Sequence, residues 1–195
     1  ALPFPAIERA ANHDAKNSGQ YGVALRYLAN WLNNTEFGLY YINYHDKLPM
    51  ALWSRTGGTP TPGVPIFPGG PGALLNFYDN ATYFFNYKED IQLLGWSFST
   101  ALGSANVAGE VSYRHGVPVQ VNQPITQSPF RFGYVEADVL QAQMSTSYVA
   151  GASPVWNNLT VTAEVGYNQV EGIPNEQLWW DKSAWGFTTK LAFDY

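Results

Sequence analysis

The 195-residue chain contains no cysteine, so neither a disulfide nor a thiolate metal site contributes to it. Charge is also scarce, because charged residues make up 13% of the sequence against about 25% in an average soluble domain. No apolar run reaches the ~18 residues of a membrane-spanning helix, and the mean hydropathy is only -0.20. The 10 basic and 15 acidic residues form no basic patch. A helical membrane protein is therefore excluded, and a nucleic-acid-binding protein is disfavoured.

Aromatic and alternating apolar residues are what the sequence has in abundance. Phe, Trp and Tyr make up 16% of the chain. Every second side chain is apolar between 159 and 168, and the alternation returns between 185 and 195. Because successive side chains of a strand point to opposite sides, both segments predict strands that lie between two unlike environments. The apolar positions are Leu159, Val161, Ala163, Val165, Tyr167, Trp185, Phe187, Leu191, Phe193 and Tyr195.

Similar patterns elsewhere predict an all-β chain of about seven strands. No segment has a convincing helical period, and residues 6–16 are the one candidate for a short helix, with a surface turn as the equal alternative. The predicted strands cover 20–29, 35–45, 82–102, 107–115, 130–150, 159–169 and 185–195.

The connections between these strands alternate between short and long. The short ones are 30–34, 103–106 and 151–158, and the long ones are 46–81, 116–129 and 171–184. Outer-membrane barrels have this asymmetry, with short periplasmic turns and long extracellular loops. We therefore expect residues 20–195 to form strands of an antiparallel transmembrane β-barrel, with a Pro/Gly-rich loop at 46–81. Residues 1–19 are expected to be an irregular lead-in or an extracellular loop.

A barrel assignment sorts the strand residues into two sets. Arg or Lys on a lipid-facing surface costs about 2–4 kcal/mol at the membrane midplane, so the charged set is expected to line the lumen. The lumen-lining candidates are Glu110, Ser112, Arg114, Thr160, Thr162, Glu164, Lys190 and Asp194. The lipid-facing candidates are Leu94, Trp96, Phe98, Val111, Tyr113, Leu159, Val161, Val165, Phe187, Leu191 and Phe193. The first hairpin does not separate polar from apolar residues as well, because Leu28, Tyr40, Ile42 and Tyr44 fall on its nominally inner side.

Aromatic residues near the predicted strand ends suggest membrane interfaces, where a ring and its polar tip are both satisfied. These residues are Tyr40, Tyr41, Tyr44, Trp156 and Trp185. A core or carbohydrate-binding role for them is the alternative that the sequence leaves open.

The sequence offers little catalytic chemistry. His13, His45 and His115 lack the spacing of metal ligands, and neither a metal nor a cofactor is predicted. A membrane esterase that pairs Ser97 or Ser112 with His115 is a minor alternative, because no complete nucleophile elbow surrounds either serine. The expected protein is not an enzyme.

Four stretches of the chain together match the pattern of a known family. They are 19–27 (GQYGVALRY), 34–45 (NTEFGLYYINYH), 87–100 (YKEDIQLLGWSFST) and 109–114 (GEVSYR). In these stretches the chain resembles the DUF1302 proteins of proteobacteria, which are large predicted outer-membrane β-barrels. Members of the family are much longer than this chain, so the resemblance implies that its strands belong to a larger barrel.

The resemblance also implies a location in the bacterial outer membrane and a part in moving hydrophobic compounds or lipids across the envelope. Membrane lipid is then the expected environment, and an RND-type exporter or a periplasmic lipid carrier is the expected partner. The function expected is a porin-like channel or conduit for hydrophobic or amphipathic solutes or lipids. The alternative is a β-sandwich surface module whose exposed Tyr and Trp residues bind carbohydrate or protein.

Overall fold

The computed structural model describes residues 8–55, 81–121 and 134–195. These residues form ten strands and one short 3-10 helix, which confirms the prediction of an all-β fold. The strands are β1 (Glu8–Arg9), β2 (Tyr21–Ala29), β3 (Thr35–Tyr44), β4 (Met50–Arg55), β5 (Ala81–Asn86), β6 (Ile91–Leu102), β7 (Ala105–Gln120), β8 (Tyr134–Val149), β9 (Asn158–Glu171) and β10 (Ser183–Asp194), and the 3-10 helix covers Asn175–Gln177. Within the described ranges, no helix is long and apolar enough to cross a membrane.

Seven of the strands form one large antiparallel sheet, in the order β10-β9-β8-β7-β6-β3-β2. Nearly every strand therefore pairs with its neighbour in the sequence, and the sheet ends at β2 on one side and at β10 on the other. The remaining strands form a smaller sheet in the order β1-β5-β4, in which β1 runs parallel to β5. The large sheet is open, since its two edge strands are not paired with each other.

Short connections gather at one end of the large sheet and long connections at the other. The β2–β3 turn uses Asn33 and Asn34 with φ values of 49° and 53°, a left-handed conformation that asparagine tolerates well. Thr35 closes this turn through a hydrogen bond from its backbone N–H to Leu32 O, at 2.8 Å. At the β6–β7 turn, Gly103 takes a φ of 62°.

The long connection between β3 and β6 contains two strands, β4 and β5, and only β5 falls within a strand that the sequence predicted. The expected strand at 82–102 is two strands, β5 and β6, which belong to different sheets. They separate at residues 87–90, where Asp90 has a φ of 58° and three charged side chains interrupt the apolar pattern. Strand β4 lies inside the predicted loop at 46–81 and pairs with β5. The Pro/Gly-rich part of that loop, 57–72, lies outside the described residues.

The N-terminal segment is extended where a short helix was one of two expectations. The described part of 6–16 adds β1 to the edge of β5, and His13 forms a further parallel bridge with Asn86. The His13 and Phe84 rings lie 4.5 Å apart. Strand pairing thus satisfies backbone groups that a helix would have satisfied internally.

Candidate functional site

Strand register divides the large sheet into two unlike faces. Directly paired residues of neighbouring strands share a face, so a single row can be followed across all seven strands. One such row is Leu25, Leu39, Trp96, Val111, Ala142, Tyr167 and Trp185. We call the side that carries this row the apolar face. All eleven lipid-facing candidates lie on it: Leu94, Trp96, Phe98, Val111, Tyr113, Leu159, Val161, Val165, Phe187, Leu191 and Phe193.

Large side chains on the apolar face are exposed. The exposed fraction is 65% for Leu25, 70% for Trp185 and 75% for Phe187. Neighbouring rings on this face pack against each other, as Trp96 does with Phe98 at 5.7 Å between centroids. A contiguous apolar surface of this kind indicates contact with another protein or with lipid.

On six strands, the apolar face carries an uncharged span of the same length, and we call the band formed by these spans the belt. In β2 the apolar alternation extends over the 9 residues of Tyr21–Ala29. Spans of the same length and without any charged residue on the apolar face occur in five further strands. These spans are 94–102 in β6, 105–113 in β7, 140–148 in β8, 159–167 in β9 and 185–193 in β10. Six strands therefore share the same apolar height.

Polar side chains end the belt on the side of the long connections. Asn43 pairs with Gln92, and Gln92 with His115, in the next row of the apolar face. The Asp138 carboxylate accepts a hydrogen bond from the Tyr113 hydroxyl at 2.5 Å and lies 2.6 Å from His115 Nδ1. A β-bulge after Arg114 places two residues of β7 opposite Asp138 and directs the His115 side chain toward the Asp138 carboxylate. The belt thus ends abruptly on the side of the long connections.

The opposite side, which we call the polar face, carries every lumen-lining candidate. Register places Glu110, Ser112, Arg114, Thr160, Thr162, Glu164, Lys190 and Asp194 there. Arg26 and Glu36 also lie on this face and form an ion pair at 3.9 Å. The face therefore brings together both signs of charge with hydroxyl and amide groups.

Tyr40 lies at the centre of the polar face, on the inner side where the sequence pattern placed it, and the sequence also made it an interfacial candidate. Its ring occupies the space above Gly95, where an added Cβ would lie 2.1 Å from Tyr40 Cε2. Its hydroxyl lies close to the side chains of Ser97 and Glu110. Tyr44 shares this face, whereas Tyr41 and Trp185 lie on the apolar face. Only the pairing of Tyr40 with Gly95 across two strands reveals this role, and a single sequence does not give that pairing.

Beyond the belt, the polar face carries a buried apolar core. A segment formed by residues 172–182, which we call the cap, folds over the upper parts of β7, β8 and β9. Its Ile173 and Leu178 are buried against Val139 and Val170 of the polar face, together with Val119, Val121 and Ala137. Trp179 Nε1 donates a hydrogen bond to Val121 O at 3.0 Å. The cap thus covers the polar face at the end where the long connections lie.

The N-terminal segment is held to the start of β6 by charge. Lys16 Nζ lies 2.8 Å from Asp90 Oδ2 and 3.1 Å from Glu89 Oε2. The hydrogen bond from the Lys16 side chain holds the pKa of Asp90 below its ordinary value, and the Lys16 backbone N–H does the same for the pKa of Glu89. His45, which is 2% exposed, lies beneath this pair with Nε2 2.8 Å from Ser18 O.

The esterase alternative finds no support in this geometry. Ser97 and Ser112 lie on the polar face, whereas His115 lies on the apolar face beside Asp138. Ser112 is also 3% exposed. Within the described part of the chain, no group of three His, Asp or Glu side chains has the arrangement of a metal site.

The chain belongs to the family described as "Protein of unknown function (DUF1302)", whose model matches residues 3–195. Neither the curated proteins nor the solved structures contain a match to it.

Proposed function

We propose that this DUF1302 protein forms part of an outer-membrane β-barrel that acts as a channel or conduit for hydrophobic or amphipathic solutes or lipids. The observation that carries the proposal is the belt of equal height on six strands, within which charged residues lie only on the opposite face. The bacterial outer membrane is the setting in which such a sheet has lipid on one side and water on the other.

The height of the belt suits a bilayer. Nine residues rise about 27–30 Å along a strand, and about 20–25 Å along the membrane normal once the strand is tilted by about 35–45°. The apolar band of known outer-membrane barrels is about 25 Å tall. Tyr21, Tyr41, Tyr113 and Trp185 would then lie near the outer interface, where their polar atoms contact headgroups.

Both edges of the sheet need partners in this setting. The edge strands β2 and β10 are exposed along almost their whole length. An unpaired backbone N–H or C=O costs several kcal/mol in hydrocarbon, so a membrane-embedded sheet must close into a barrel. We infer that further strands of the same barrel pair with β2 and β10.

Membrane lipid is the partner that the belt requires. The family resemblance adds an RND-type exporter or a periplasmic lipid carrier, which would deliver or receive the solute at the side of the short turns. Long connections and the cap then face the cell exterior. The polar face would line the path of the solute.

Cell fractionation tests the proposal. Membranes of a Gram-negative host that expresses the chain with an export signal are separated by density, and the protein is followed by immunoblotting. We expect it in the outer-membrane fraction, resistant to extraction by carbonate and released by detergent. Recovery in the soluble fraction without detergent would instead support the β-sandwich binding module.

A further inference from the structure

Arg114 is a cation in an otherwise apolar row of the polar face. Its row runs through Ile42, Leu93, Arg114, Val139 and Val170. Val139 and Val170 are buried beneath the cap, whereas Ile42 is 37% exposed and Leu93 is half-buried. Arg114 therefore lies where the covered core ends and the open polar face begins.

The charge of Arg114 has no carboxylate partner among the described residues. Arg114 Nη2 donates a hydrogen bond to Gln141 Oε1 at 2.9 Å, which fixes the guanidinium in place. Arg114 Nε is buried and has no hydrogen-bond partner in the described part of the structure. Arg26, on the same face, has Glu36 beside it.

The Arg114 side chain is half-buried, and its unpaired Nε does not contribute to stability. A buried N–H without a partner costs about 1–3 kcal/mol, and more when the group is charged. A buried N–H without a partner needs an explanation, and a bound acceptor supplies one. The planar guanidinium is suited to carboxylates, because its N–H groups match the two oxygens of that anion.

We propose that Arg114 binds the carboxylate head group of an amphipathic solute, whose apolar body lies on Ile42 and Leu93. The site specifies the class of solute that the proposed conduit would carry, and this inference rests on the proposed function. Gln141 acts as a positioning residue that holds the guanidinium. The head group would then lie at the edge of the cap, and the apolar body would lie on the part of the row that the cap does not cover.

Binding of two amphiphiles with equal chain length tests the site. The full chain, folded in dodecyl maltoside, is titrated with octanoate and with octanol at constant ionic strength, and calorimetry gives both dissociation constants. We expect octanoate to bind at least about tenfold more tightly, which is the effect of one charge-assisted hydrogen bond. Arg114→Gln should abolish this preference, and Arg114→Lys should retain part of it.

Arg26→Gln is the matched control, since it removes a cation of the same face that already has a carboxylate partner. We expect this variant to keep the preference for octanoate. Arg114→Gln should leave the urea midpoint nearly unchanged, because it removes no ion pair and removes the unpaired Nε together with the hydrogen bond to Gln141. Equal binding of octanoate and octanol, or a preference that survives in Arg114→Gln, would overturn the site.

Fractionation separates this result from the proposed function. An outer-membrane protein without the Arg114-dependent preference would refute the site and leave the conduit standing. A soluble protein that shows the preference would keep the site and refute the conduit.

Discussion

Single residues on the polar face differ in their tolerance for added volume. Gly95 is covered by the Tyr40 ring, whereas an added Cβ at Gly186 would meet no atom within 4 Å. Both glycines lie on the polar face of the same sheet. The difference between them is therefore due to packing alone.

We expect Gly95→Ala to lower the free energy of unfolding by about 1–3 kcal/mol, because the added methyl group overlaps the Tyr40 ring and forces it out of its packed position. Gly186→Ala should change it by less than about 0.5 kcal/mol. Urea unfolding of detergent-folded protein, followed by tryptophan fluorescence, measures both. If Gly95→Ala and Gly186→Ala cost the same, Tyr40 does not lie over Gly95.

The face of each residue in the later strands could be predicted from the sequence. A period of two fixes the relative side of Glu110, Arg114, Glu164 and Lys190 once the strand is recognised. Tyr40 and Ile42 follow the same period and lie on the inner side, but an aromatic and an aliphatic side chain there do not identify the polar face of β3. Their partners across the sheet are distant in the sequence, so their roles follow only from the register.

Elements of the fold differ in how far local patterns reveal them. The seven strands of the large sheet were expected, because each alternates over about nine residues. Strand β4 and the cap were not expected, since their pairing depends on distant residues such as Tyr83 and Val121. The break between β5 and β6 follows from the charges at 88–90, which a continuous strand would have brought into the apolar belt.

Attachment of the cap depends on Leu178, which is 5% exposed. Leu178→Ala should cost about 2–5 kcal/mol, because it opens a cavity against Val121 and Val170. We expect the loss to appear locally, as faster hydrogen exchange and proteolysis within 172–182. Trp180→Ala is the control, since its side chain is 55% exposed. Unchanged exchange in the Leu178 variant would mean that the cap is held by other contacts.

At the scale of the whole sheet, residues 8–55, 81–121 and 134–195 combine one apolar and one polar face, and none of them forms a second layer of sheet over the exposed apolar side chains. A soluble sandwich would bury the side chains that lie at 65–75% exposure here. Under the proposed function, a membrane would supply this apolar layer. In the proposed barrel, the number of strands and the width of the pore depend on the strands that pair with β2 and β10. Local sequence patterns do not encode that pairing.

Spin labels on β9 test the central claim most directly, and the absence of cysteine lets single Cys substitutions be labelled without background. Nitroxides are placed one at a time at Val161, Thr162, Ala163, Glu164 and Val165 of the full chain, reconstituted in lipid vesicles. Paramagnetic resonance then measures access to oxygen, which concentrates in lipid, and to a water-soluble nickel chelate. A membrane-spanning sheet predicts oxygen access at 161, 163 and 165 and nickel access at 162 and 164. Equal nickel access at all five positions would contradict it.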